Sequence, residues 1–155
     1  MKSDFNILIV DDEEGHLRLI EKNLRRAGIE NRIQFFKDGQ TILDFLFCTV
    51  KNGDEKAEKS KSYLLLLDIR MPRISGEEVL VKIKADPELR KIPVIILTTV
   101  NDPEEVERCH LLGCNNYIPK PALYDDFEKT LEYLGLFLSI IKVPHVKLNG
   151  GGGGI

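Results

Sequence analysis

Acids recur where apolar runs of this sequence end. Residues 7–10, Ile-Leu-Ile-Val, run into Asp11 and Asp12, and four leucines at 64–67 run into Asp68. A third run, 93–98, closes on Thr98, and a short fourth is followed by Lys120. Three carboxylates brought together repel, and one stays protonated unless a cation intervenes. Mg²⁺ removes the conflict, because it takes oxygen ligands in octahedral geometry, typically one or two carboxylates with waters and phosphate oxygens. Asp11, Asp12 and Asp68 are the candidate ligands, and a backbone carbonyl just after Asp68, that of Arg70, completes the shell. The chemistry that uses such a set is phosphoryl transfer to a carboxylate. Asp68 is the nucleophile and becomes an aspartyl phosphate, while the Thr98 hydroxyl and the Lys120 ammonium take phosphoryl oxygens. Taken singly, each of these residues reads as a cap, a strand end or a solvated charge. Together they point to one crevice.

That convergence requires particular elements. The run at 5–10 is too short for a helix and reads as a strand buried on both faces. Leu17, Ile20, Leu24 and Ala27 recur at helical spacing, with Gly28 as the stop. A strand is expected at 31–36, a helix at 39–50, and a solvated loop at 51–62, where charges are mixed and no apolar face exists. The strand at 63–68 is the most apolar. A helix over 75–85 starts on Ser75 as N-cap, a strand spans 93–98, and a helix over 102–112 carries Pro103 at its first position. A short strand at 115–118 and a helix over 123–141 complete the pattern. This is an α/β fold, (βα)₅, a doubly wound parallel five-stranded sheet. With strand order 2-1-3-4-5, the flavodoxin-like arrangement, strands one and three are neighbours, and ligands bind beyond their C-terminal ends.

The chain has 155 residues, enough for one domain, expected over 1–142, with a glycine-rich tail over 143–155. A formal net charge of −3 argues against a nucleic-acid or anionic-membrane binder. The three cysteines, Cys48, Cys109 and Cys114, contain no CxxC pair and suit reduced thiols of a cytoplasmic protein. No leader and no membrane span is expected.

The sequence resembles the receiver domain of two-component response regulators, from Ile7 to about Ile141. The pieces that carry the likeness are Ile7-Leu8-Ile9-Val10-Asp11-Asp12, then Asp68-Ile69-Arg70-Met71-Pro72 with Gly76, then Pro93-Val94-Ile95-Ile96-Leu97-Thr98, and Tyr117-Ile118-Pro119-Lys120-Pro121. The resemblance implies that Asp68 is the phosphoacceptor, that Asp11 and Asp12 hold Mg²⁺, and that Thr98 and Lys120 contact the phosphoryl group. It further implies that Tyr117 is an aromatic switch coupled to Thr98, and that the Lys120–Pro121 peptide is cis. The phrase Asp86-Pro87-Glu88-Leu89-Arg90-Lys91-Ile92-Pro93 and the lengthened loop at 51–62 are similar to stand-alone receivers of the bacterial phytochrome-response type. The implied phosphodonor is then a sensor histidine kinase, often a light-sensing one. Arg70 and Thr99, near the acceptor and the switch, are positions that tune phosphoryl lifetime.

The expected function is therefore a phosphorylation switch rather than an enzyme that turns over an external substrate. Its output is contact with a downstream protein, or, as the alternative, relay to a histidine phosphotransfer protein. A haloacid-dehalogenase-type phosphatase needs an acid two residues after the nucleophile, where Arg70 stands. A flavodoxin needs a hydroxyl- and glycine-rich phosphate loop where Asp11-Asp12-Glu13-Glu14 stands. The complete set of five residues argues against a degenerate receiver. In the last helix Phe127, Leu131, Leu134, Leu138 and Ile141 form one apolar stripe, and Tyr133, Leu136, Phe137 and Ile140 a second. The second stripe points to a homodimer face, with fold-back of the 143–148 segment as the alternative cover.

Overall fold

The computed structural model describes residues 5–51 and 60–147. Five parallel strands form the sheet: β1 (Asn6–Val10), β2 (Ile33–Phe36), β3 (Ser60–Leu67), β4 (Val94–Thr98) and β5 (Asn116–Pro119). Their order is β2-β1-β3-β4-β5, the order expected. The helices are α1 (Glu14–Arg26), α2 (Gly39–Asp44), α3 (Gly76–Lys84), α4 (Pro103–Leu112) and α5 (Tyr124–Leu138).

Each central strand buries both faces, so the core is double. On one face Leu8, Val10, Leu65, Leu67 and Ile96 pack against Ile42, Leu80 and Ile83. On the other, Ile7, Ile9, Leu64, Leu66 and Ile95 pack against Leu17, Ile20, Leu24, Leu131 and Leu134. The stripe Phe127, Leu131, Leu134 and Leu138 covers the sheet as expected, and Ile141 packs at its edge.

The helix signals read locally are realised in the backbone. Ser75 Oγ accepts from Glu78 N–H at 3.2 Å, and Asp102 Oδ1 accepts from Glu104 N–H at 3.2 Å. At the end of α1, Gly28 has φ +93°. Its N–H donates to Arg25 and that of Ile29 to Leu24, the paired closure that a left-handed residue makes possible.

Several expectations need correction. The second strand starts at Ile33, because the buried Asn31 donates its side-chain amide to the carbonyl of Phe5 at 2.7 Å and ties off the chain first. The helix expected to reach Val50 is α-helical only to Asp44. Phe45–Lys51 continues as a π-helical stretch that puts Leu46 and Val50 into the core. The last helix ends at Leu138, where Ser139 donates its hydroxyl to the carbonyl of Leu136 at 2.6 Å.

The largest difference concerns the ends of two expected irregular segments. Ser60 to Ser62, read as loop, is the start of β3. It pairs antiparallel with β6 (His145–Lys147), in register Ser60 with Lys147 and Ser62 with His145. The chain thus returns after α5, and Val146 is fully buried. Glu88 accepts from Lys147 N–H at 3.0 Å and fastens the return. The rest of the expected loop, 52–59, and the glycine run at 150–154 lie outside the described residues. Among the described residues, no helix is long and apolar enough to cross a membrane.

Candidate phosphoryl-transfer site

Parallel ladders place the acids. One rung beyond β1, Asp11 N–H donates to Phe36 O at 3.0 Å, and one rung beyond β3, Asp68 N–H donates to Val10 O at 3.0 Å. Lys120 N–H donates to Thr98 O at 2.6 Å in the same way. The polar residues that end four neighbouring strands are therefore held at one edge of the sheet by main-chain bonds.

Asp11 and Asp68 are buried, at 2% and 7% exposure, while Asp12 faces solvent. Ligand oxygens of the three lie within 4.8 Å of one another. Asp11 Oδ1 accepts from Glu13 N–H at 2.9 Å, and Asp11 Oδ2 accepts from the buried Lys120 ammonium, which stands 3.5 Å from Asp68 Oδ2. Asp68 Oδ1 is buried with no hydrogen-bond partner among the described residues. Burial raises the Asp11 carboxyl above its ordinary value, and Lys120 offsets only part of that rise. A buried acceptor without a donor, beside two more carboxylates, is what a divalent cation would satisfy. The donor set therefore fits a hard metal ion.

A tight turn supports Asp68. Gly76 N–H donates to Ile69 O at 2.8 Å, and a Cβ at Gly76 would lie 2.2 Å from the carbonyl oxygen of Asp68. Glycine at this position is thus a requirement of the loop that carries Asp68. A cleft of about 550 Å³ opens beside it, lined by Asp12, Arg70, Met71, Val100 and Glu105.

The description "Response regulator receiver domain" fits residues 7–132 as a family model. The chain belongs to the response regulator receiver family. A receiver domain from Rhodospirillum rubrum is 43% identical, with a TM-score of 0.83 over 92% of this chain and 99% of that one. Response regulator Rcp1 of Synechocystis is 30% identical over 89% of this chain and 92% of its own length. The Mn²⁺-bound form of Rcp1 superposes with a TM-score of 0.77, at 28% identity, over 90% of this chain and 99% of that one. The phosphorylated cyanobacterial phytochrome response regulator RcpA does so with 0.78, at 29% identity, over 92% and 99%. The likeness to phytochrome-response receivers, read from residues 51–62 and 86–93, is borne out by these relatives.

Within this receiver, Asp11, Asp12, Asp68 and Lys120 come together as the sequence suggests. Thr98 is fully buried at the end of β4, and its Oγ1 accepts from Val100 N–H at 3.4 Å. Tyr117 is half-buried and turned toward the same segment, donating to Val100 O at 2.7 Å. Arg70 is exposed on the cleft wall and Thr99 is exposed directly after Thr98. The Lys120–Pro121 peptide is a correction. No cis bond occurs among the described residues, so this one is trans, the isomer that tertiary amides intrinsically favour.

The second stripe of α5 is uncovered. Tyr133 is 64% exposed, Leu136 52%, Phe137 41% and Ile140 78%. The segment after α5 does fold back, but onto β3 rather than over these side chains. Burial pushes the Cys109 thiol up to about 12 and raises that of Cys114, so both are inert thiols, while Cys48 is exposed.

Sequence reasoning missed His16. Its Nδ1 lies 2.9 Å from Lys120 Nζ and its Nε2 3.0 Å from Glu13 Oε2. Read as one polar position on an amphipathic helix, it carries no signal of its own. Its place in the first turn after the Asp11–Asp12 loop was the available clue.

Proposed function

We propose that this receiver is a phosphorylation switch whose acceptor is Asp68, with a sensor histidine kinase as donor and Mg²⁺ as the ion held by Asp11, Asp12, Asp68 and the Arg70 carbonyl. The observation that carries the reading is the state of the Asp68 carboxylate: Oδ1 is buried without a partner among the described residues, and Oδ2 faces the Lys120 ammonium. In the transfer, an Asp68 oxygen forms a P–O bond as the P–N bond of the donor's phosphohistidine breaks, and the bonding pair leaves on the imidazole nitrogen. Bound Mg²⁺ supplies charge neutralisation at the phosphoryl oxygens. Lys120 and the Thr98 hydroxyl take the remaining oxygens.

A groove of about 470 Å³ between α1 and the start of α5 adjoins the site through His16 and is lined by Arg18, Leu19, Lys22, Tyr124 and Phe127. Its apolar floor and basic rim suit a helical, acidic docking element of the donor. The phytochrome-response relatives favour a light-sensing kinase as that donor.

On phosphorylation, Thr98 is drawn to the phosphoryl group and Tyr117 follows, reshaping the surface of α4, β5 and α5. The exposed stripe Tyr133, Leu136, Phe137 and Ile140 belongs to that surface and is the face of a homodimer. Mass in solution at high micromolar concentration tests it, since a monomer both with and without phosphorylation would rule the dimer out.

The acceptor is tested by intact mass after incubation with acetyl phosphate and Mg²⁺, for wild type and Asp68→Ala. One added phosphoryl group that requires the metal and is absent from the variant is expected. An unmodified wild type, or label persisting in the variant, would overturn the assignment.

A further inference from the structure

The Lys120 ammonium has three donors and no acceptor. Two of its neighbours are Asp11 Oδ2 and, at 3.5 Å, Asp68 Oδ2. The third is the imidazole of His16, with Nδ1 at 2.9 Å. An ammonium can meet a ring nitrogen at that distance only if the nitrogen offers a lone pair. The ring proton therefore sits on Nε2, which points at Glu13 Oε2 3.0 Å away. The ring is held edge-on against Phe127, with centroids 5.6 Å apart and planes at 83°. Glu13 in turn donates its main-chain N–H to Asp11. A closed circuit of donors and acceptors thus surrounds a lysine whose side chain is almost wholly buried.

We propose that His16 is a positioning residue for phosphoryl transfer, acting through Lys120. Its Nδ1 lone pair accepts a hydrogen bond from one ammonium N–H and aims the other two at Asp11 and at the Asp68 oxygen where the phosphoryl group arrives. Without it, two carboxylates pull on the lysine from one side and nothing fixes its rotation. Glu13 sets the tautomer and Phe127 sets the ring plane, so the acceptor is in place before any donor docks. The inference rests on the reading of Asp68 as phosphoacceptor.

Two variants and one spectrum test it. His16→Asn retains an acceptor near the position of Nδ1, and His16→Phe retains the ring without one. With acetyl phosphate and Mg²⁺, labelling of His16→Phe is expected to slow about tenfold and that of His16→Asn to stay within about threefold of wild type. Equal rates for His16→Phe and wild type, or equal losses in both variants, would overturn the inference while leaving the acceptor reading intact. A wild type that takes no label would sink both. Nitrogen-15 spectra of the unphosphorylated receiver should show His16 protonated on Nε2, with an Nδ1 signal that moves in Lys120→Met. A proton on Nδ1 would refute the contact itself.

Discussion

The phenol of Tyr117 donates to the carbonyl oxygen of Val100 at 2.7 Å, and the N–H of the same Val100 reaches Thr98 Oγ1 at 3.4 Å. One peptide segment therefore joins the buried hydroxyl at the end of β4 to the aromatic ring of Tyr117 on β5. In the proposed switch, a shift of Thr98 toward a phosphoryl oxygen would release Val100 on one side and loosen Tyr117 on the other. Tyr117→Phe removes the second link but keeps the ring. Partner affinity of the unphosphorylated form is expected to rise several-fold in this variant, with a smaller increment on phosphorylation. Titration of a labelled partner with and without acetyl phosphate reads both, and an unchanged increment would count against the link.

Three carboxylates held within 4.8 Å predict a thermal response to metal. Millimolar Mg²⁺ should raise the melting temperature of the wild type, because the ion binds the folded site and not the unfolded chain. Asp12→Ala removes an exposed ligand without opening a cavity, so its stability without metal should be close to wild type while the Mg²⁺ increment largely disappears. Scanning fluorimetry over a magnesium series decides, and an increment that survives in Asp12→Ala would place the ion elsewhere.

Gly76→Ala should be costly at a position that looks like an ordinary helix start. The added Cβ would sit 2.2 Å from a main-chain oxygen of Asp68, and neither backbone can yield without moving that aspartate. A loss of about 2–3 kcal/mol in urea unfolding is expected, with slower labelling of the folded fraction. A variant as stable as wild type would mean that the turn is softer than its contacts imply.

Val146 belongs to a segment that composition alone assigns to the tail, yet it is fully buried beside the start of β3. Val146→Ala should cost about 1–3 kcal/mol, whereas Lys142→Ala, a few residues earlier and on the surface, should be nearly neutral. Denaturant midpoints of the two variants give the comparison. Equal, negligible effects would show that the return strand contributes nothing to stability.

Asp38 caps α2 by accepting from Thr41 N–H at 2.8 Å, and this bond holds its carboxyl below the ordinary 3.8. In acid the unfolded chain binds the proton more readily, so stability rises with pH through this window. The contribution is complete above the ordinary value and is lost as pH falls through the lowered one. Asp38→Asn keeps a capping oxygen that does not titrate there. The two proteins should be similar in stability near neutrality, and the wild type should lose ground to the variant below about pH 4. Parallel urea titrations from pH 5 to 3 check this, and curves that stay parallel would remove the cap from the acid response.

Much of the site was legible because apolar runs stop abruptly. A buried parallel strand has no polar residue until its end, so Asp11, Asp68 and Thr98 mark strand ends by composition alone. Their convergence followed from the expected strand order 2-1-3-4-5, which sets strands one and three side by side. What escaped reading depends on distant partners. Ser60 to Ser62 resembles the charged stretch before it, and only pairing with residues 145–147 makes it a strand. His16 needed the position of Lys120, more than a hundred residues away, before it could be more than a helix surface residue. The break in α2 at Phe45 has no local marker either, since residues 39–50 keep a helical pattern throughout.

The return of the chain along β3 also fixes where an attachment can be made. Ser60 and Lys147 are paired at one end of β3, and the eight residues of that strand span roughly 26 Å toward Asp68 at the other. A fluorophore, surface tether or fused reporter joined close behind Lys147 begins at the pole opposite the carboxylates, leaving their cleft and the groove beside His16 accessible. The same cargo placed at the exposed Tyr124 would stand in the wall of that groove.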